Sequence, residues 1–224
     1  ALQVAAGGRL ETLLGTVGAV VLQSAVVDVS DAHSLWHNTG TTVVGAQGNG
    51  TVTVRNGGAV ESGGLILGQE RGSLGRAQLS GQGSHWSTVG AITVGQAGVG
   101  QLMLDSGASF SSASAALGAL PLSSGDVQVN GGATWNAGSS LAVGLFGSGT
   151  LALADGGNVS TGSMTVGQLG TGSVSLGSQV SGSTSQLVST GVLTVGQGNT
   201  GSIDIRSGGS LRSGDTTLGV NEGI

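Results

Sequence analysis

An apolar residue followed by glycine returns nine times along this chain at nearly regular intervals. The pairs are Leu14-Gly15, Val44-Gly45, Leu67-Gly68, Val94-Gly95, Leu117-Gly118, Val143-Gly144, Val166-Gly167, Val195-Gly196 and Leu218-Gly219. Intervals of 23 residues alternate strictly with longer ones of 26–30. The larger repeat is therefore a pair of units, roughly 50 residues long. A fixed period of this size marks a supersecondary element that cannot bury its apolar face alone and stacks on copies of itself.

The short units align without a gap. Val52, Leu102, Leu151 and Ile203 share one phase, and Val54, Leu104, Leu153 and Ile205 share the phase two residues on. Turn glycines follow at Gly57, Gly107, Gly156 and Gly208, then a further apolar set at Val60, Phe110, Val159 and Leu211. In the long units Trp36, Trp86, Trp135 and Leu187 all stand nine residues before the closing glycine. Apolar and small polar residues alternate over three to five positions, the period of a half-buried strand. The expected fold is all-β: a parallel β-solenoid with three short strands per coil and alternating 23-residue and 26–30-residue coils. About nine coils at roughly 4.8 Å each give a rod of roughly 40 Å. Residues 1–224 are expected to form one solenoid, a fragment of a longer protein cut through a coil at both ends. Leu2, Val4 and Gly7-Gly8 match Ile203, Ile205 and Gly208-Gly209, and Val220 to Ile224 repeat the opening of a unit. No signal peptide precedes Ala1, which fits a processed or excised piece.

Composition supports repetition and removes several classes. Glycine supplies 47 of 224 residues, with one proline, no cysteine and 8% charged residues. Glycine without a G-X-Y period or proline is not collagen. A hydrophobic fraction of 38% is not that of a charged disordered tail. No apolar run approaches the ~18 residues of a membrane-spanning helix. Net charge is −5 and no basic patch exists, so nucleic acid is not an expected partner. Glycine at this density disfavours helix by about 1 kcal/mol per interior residue.

The segment Thr93-Val-Gly-Gln-Ala-Gly-Val-Gly-Gln-Leu-Met-Leu-Asp-Ser-Gly-Ala-Ser-Phe110 resembles the passenger repeats of Gram-negative autotransporters (type V secretion), especially AIDA-like adhesins. So do Val195-Gly-Gln-Gly-Asn-Thr-Gly-Ser-Ile-Asp-Ile-Arg-Ser-Gly-Gly-Ser-Leu211 and the element Gly-Ser-His-Trp86 leading into Val94-Gly95. The resemblance covers nearly the whole chain. It implies a right-handed parallel β-helix, export through an outer-membrane barrel and display on the cell surface or release from it.

No residue pattern calls for catalysis, a cofactor or a metal. The acids Glu11, Asp28, Asp31, Glu61, Glu70, Asp105, Asp126, Asp155, Asp204, Asp215 and Glu222 are spread along the chain. Only Asp28 and Asp31 are close enough in sequence to suggest the carboxylate pair of a glycosidase, and a solvated loop is the expected role. His33 and His37 lack the H-E-x-x-H arrangement, and His85, beside Trp86, should point outward. There is no G-x-S-x-G elbow and no lysine for Schiff-base chemistry. Pieces such as Gly98-Val-Gly100 and Gly147-Ser-Gly149 recur in phase and read as turns rather than phosphate loops. No aspartate column marks calcium repeats; the corresponding outward positions hold Asn56 or Ser106. The tryptophans exchange with Val60, Phe110, Val159, Leu187 and Leu211, which predicts an interior wedge rather than a sugar platform. An ice-binding surface needs a regular threonine ladder, and Val43, Ile66, Thr93, Ala116, Ala142, Thr165, Thr194 and Thr217 are only half threonine.

The expectation is a non-enzymatic adhesin segment. Its partners would be a host surface protein or glycan, or the same protein on another cell, without insertion into a membrane. Ser and Thr supply acceptors for the O-glycosylation known in such passengers. The alternatives are a passive stalk for an effector elsewhere in the parent and, less favoured, a carbohydrate-degrading β-helix.

Overall fold

Each unit folds as one coil of a parallel β-solenoid. The computed structural model describes residues 1–219, so the repeat seen at Val220 to Ile224 lies outside the described residues. Twenty-five strands and no helix occur among them. The first strands of successive coils form a nine-stranded sheet in sequence order. The second and third strands form ladders that join into one sixteen-stranded sheet, because Leu35–Val44 and Ala59–Leu67 run through both positions without a break. Every pairing is parallel, so each coil hydrogen-bonds to the coils above and below.

Stacking turns the phases of the sequence into columns. Leu2, Val27, Val52, Ala77, Leu102, Val127, Leu151, Val174 and Ile203 stand in one inward file. Leu10, Trp36, Val60, Trp86, Phe110, Trp135, Val159, Leu187 and Leu211 make another. The tryptophans are interior, at 2%, 0% and 1% exposure for Trp36, Trp86 and Trp135. Phe110 lies between two of them, with centroids 6.1 Å from Trp86 and 6.5 Å from Trp135. Such packing is worth more than area burial alone, by about 0.5–1.5 kcal/mol per pair. The indole N–H of Trp86 donates to Ser62 Oγ at 2.9 Å, and that of Trp36 to Thr12 Oγ1 at 3.0 Å. Trp135 Nε1 and Ser112 Oγ are both buried without a partner.

Two expectations need correction. Leu14-Gly15 does not close the first coil. Val17, not Leu14, pairs with Val44, and Gly15 pairs with Thr42. Leu14 is 74% exposed. The first long coil is therefore three residues shorter than that register implied. Second, Gly100 and Gly149 are not turn residues. They lie within the strands Val99–Asp105 and Ser148–Leu153 and face inward. A Cβ on Gly100 would collide with Gly95 N and come within 2.7 Å of Leu67 O. Small size, rather than left-handed backbone, is what this position requires.

The added length of the long coils falls mainly in two places. The first two carry one further residue between the first and second strands, where Val27 to Trp36 and Ala77 to Trp86 span nine positions against eight for Val52 to Val60. Their third strands close one residue later after the tryptophan column than those of the short coils do. In three of the four, a further two residues fall in the corner before the first strand, forming the tips Val20-Val21-Leu22-Gln23, Glu70-Arg71-Gly72-Ser73 and Leu120-Pro121-Leu122-Ser123. Each tip is closed by a hydrogen bond, as in Ser123 N to Leu120 O at 3.1 Å. Leu22, Gly72 and Leu122 take φ of 62°, 81° and 69°. Left-handed backbone at the third position, with the chain's one proline at the second, is the type II turn signature. The fourth long coil puts its extra residues instead at 177–184, between the first and second strands.

Candidate functional site

With the interior filled by apolar columns, chemistry is confined to the outward columns. The face of the first strands carries two of them. One runs Val26, Thr51, Arg76, Gln101, Asp126, Thr150, Ser173, Ser202, and the other Gln3, Asp28, Thr53, Gln78, Met103, Gln128, Ala152, Ser175, Asp204. Arg76, Gln78, Gln101, Met103, Asp126 and Gln128 surround a shallow depression of about 90 Å³. Arg76 Nε donates to Gln101 Oε1 at 2.6 Å. Asp126 accepts from Thr150 Oγ1 at 2.5 Å and from Gln128 Nε2 at 3.2 Å.

The Asp28–Asp31 pair does not converge on a solvated loop. Asp28 sits within the strand Ser24–Ser30 and accepts a two-pronged bond from Arg55, Nε to Oδ1 at 3.0 Å and Nη2 to Oδ2 at 2.8 Å. Hydrogen bonding and charge from Asp28 raise the Arg55 guanidinium above its usual range. Asp31 is a turn residue at φ 75° whose carboxylate takes the Ala6 N–H at 3.3 Å. The expected outward sites Asn56 and Ser106 are left-handed turn residues at φ 54°.

The second-strand face carries the histidines. His37 lies between Glu11 and Glu61 in one outward column. Its Nδ1–H donates to Glu61 Oε2 at 2.8 Å. Glu11 is held below the usual carboxylate range by the hydrogen bond and charge of Arg9, with a smaller contribution from His37. His85 points outward and turns its Nδ1 to Gly83 O at 3.1 Å, while His33 sits in a turn at φ 69°. No group of three or more His, Asp or Glu positioned to hold a metal occurs among the described residues. Further along, Asn136, Asn158, Ser160 and Gln186 line an uncharged trough of about 380 Å³.

The third-strand face presents Thr16, Val43, Ile66, Thr93, Ala116, Ala142, Thr165, Thr194 and Thr217 in one file. At the 177–184 excursion, Asp155 Oδ1 accepts from Gln179 N at 2.9 Å, Ser178 Oγ at 3.2 Å and Val180 N at 3.3 Å. These bonds, the Gln179 N–H foremost, depress its carboxyl pKa.

The geometry thus offers repeated hydrogen-bonding ladders at one-coil spacing rather than one converging site. No helix among the described residues is long and apolar enough to cross a membrane. Comparison with protein-family models, with curated proteins and with solved structures returns no match for this chain.

Proposed function

We propose that this chain is a rod segment of an exported Gram-negative surface protein, of the autotransporter passenger type. It adheres through its polar faces, by self-association between cells or by binding a host surface protein or glycan. The observation that carries this reading is the register of the outward columns. Each presents Ser, Thr, Asn, Gln or charged side chains at most coils, interrupted at positions such as Met103, Ala152, Ile66 and Ala116, so two rods or a rod and a polymer can make similar weak contacts many times. Such repetition raises avidity without any strong single contact.

Bacteria displaying the segment should clump, or adhere to host cells, more than bacteria displaying only the anchoring barrel. Equal clumping and equal adherence would sink the reading. The parent's C-terminus tests the export route: a terminal run of amphipathic barrel strands is expected, and any other ending removes the autotransporter assignment. A passive stalk is the second reading, favoured by the uniformity of the coils. It requires that a shuffled solenoid of equal length replace this one without loss of the parent's activity.

A further inference from the structure

The nine first strands place Val99–Asp105 at the centre of their sheet, with four strands on either side. One strand to one side of it the outward column carries Arg76, and one strand to the other side it carries Asp126. Between them lie Gln101 and, in the neighbouring column, Met103, which is 38% exposed. Arg76 makes no ion pair with any described residue, and neither does Asp126. A guanidinium and a carboxylate are thus held two coils apart, roughly 10 Å, on a gently ruled surface and not bonded to each other.

This spacing is self-complementary. A two-fold axis along the central strand, lying in the plane between two facing sheets, reverses the order of coils and keeps each column over itself. Arg76 then faces Asp126 of the second copy, and Asp126 faces its Arg76. Gln78 faces Gln128, Thr51 faces Thr150, and Met103 meets Met103. We propose that this face is a homotypic interface in which two antiparallel rods pair about Val99–Asp105, closed by two reciprocal Arg76–Asp126 ion pairs around a Met103 contact. The proposal rests on the self-association reading above and names its surface and register.

The area suffices. Nine strands at ~4.8 Å and about six residues of each at ~3.3 Å offer roughly 800 Å² per copy, the size of a standard interface. Sheets packing face to face sit ~10 Å apart, a gap that an arginine and an aspartate span together. A two-fold axis makes the contact isologous and self-limiting, so rods pair rather than polymerise through this face. One pairing opposes it: Asp105 at the end of the central strand faces itself. Its Oδ1 is turned back onto Ser106 N at 2.7 Å, and Asp105→Asn should tighten the pair.

Sedimentation of the chain tests the proposal, with circular dichroism to confirm that each variant keeps its strands. Wild type should dimerise. Arg76→Asp and Asp126→Arg should each weaken dimerisation by about tenfold or more, because each sets like charges face to face twice. An equimolar mixture of the two variants should form heterodimers, since every facing pair is then opposite in sign, and the double variant R76D/D126R should recover self-pairing. Single variants that associate like wild type, or a mixture that stays monomeric, would overturn the interface. Clumping by cells displaying either single variant at the wild-type level would leave adhesion standing and reject this face. A wild type that neither dimerises nor clumps would reject both.

Discussion

Two positions at the corner before the first strand, in neighbouring coils, obey opposite rules. At the start of the first strand the backbone of one coil presses on its neighbours, and Gly100 has Gly95 N and Leu67 O where a side chain would be. At the tip Glu70-Arg71-Gly72-Ser73 the chain bulges away, and a Cβ on Gly72 would meet nothing within 4 Å. Both are glycine, for unrelated reasons: the first for space, the second for a φ of 81°. The length of the repeat is fixed where atoms crowd and varies where they do not.

Substitutions can break or sharpen this contrast, beginning with the interior that both coils enclose. Val94→Asp or Leu151→Asp places an unpaired carboxyl in a column at 0% or 1% exposure. The cost should be about 4–5 kcal/mol, read as lost resistance to limited proteolysis. Unchanged resistance would mean that these positions are not inward. Trp86→Ala empties the wedge between Val60 and Phe110 and should cost about 3–4 kcal/mol in denaturant unfolding. Gly100→Ala should cost about 2–3 kcal/mol, since backbone rather than a flexible side chain must move. Gly72→Ala, strained in φ but not crowded, should cost about 1 kcal/mol or less. Equal losses at the two glycines would erase the distinction between the two positions.

A finer pair separates the tryptophans. Ser62→Ala strands the buried Trp86 indole N–H and should cost about 1–2 kcal/mol. Ser112→Ala removes a hydroxyl that Trp135 does not reach and should change stability by less than about 0.5 kcal/mol. The smallest effect is the latch on the 177–184 excursion. Asp155 has a lowered carboxyl pKa in the folded chain, so its hold is complete above the ordinary carboxylate range. That hold is lost as pH falls through the lowered value. Protection of the Gln179 and Val180 amides, measured against their intrinsic exchange rates, should therefore fall selectively on acidification, and Asp155→Asn should remove that pH dependence of protection.

Much of the fold was legible because repetition makes the sequence its own alignment. The tryptophan column follows from a constant nine-residue spacing to the closing glycine, with no knowledge of the coil's shape. The eight-residue spacing of the short coils would have corrected the first coil. Leu10 stands eight residues before Gly18, as Val60 stands before Gly68, whereas Gly15 is too close to Leu10 to close a coil. A second apolar-glycine pair, Leu14-Gly15, concealed this. The two classes of glycine could not be separated, because crowding is a property of stacked neighbours and leaves no mark on one chain segment. The bond from Asp28 to Arg55 was hidden for the same reason: residues 27 apart become neighbours only once coil length is known. The site itself stayed illegible because no outward residue breaks the repeat in a way that announces its ligand.

The type II tips have a consequence for scale. They project at alternate coils over the first two thirds of the rod, whereas the flat faces repeat at every coil. One edge is graduated at roughly 10 Å and the others at roughly 5 Å. A polymer with its own repeat distance could fall into step with one graduation and not the other. The same object would then measure two different ligands along two different sides.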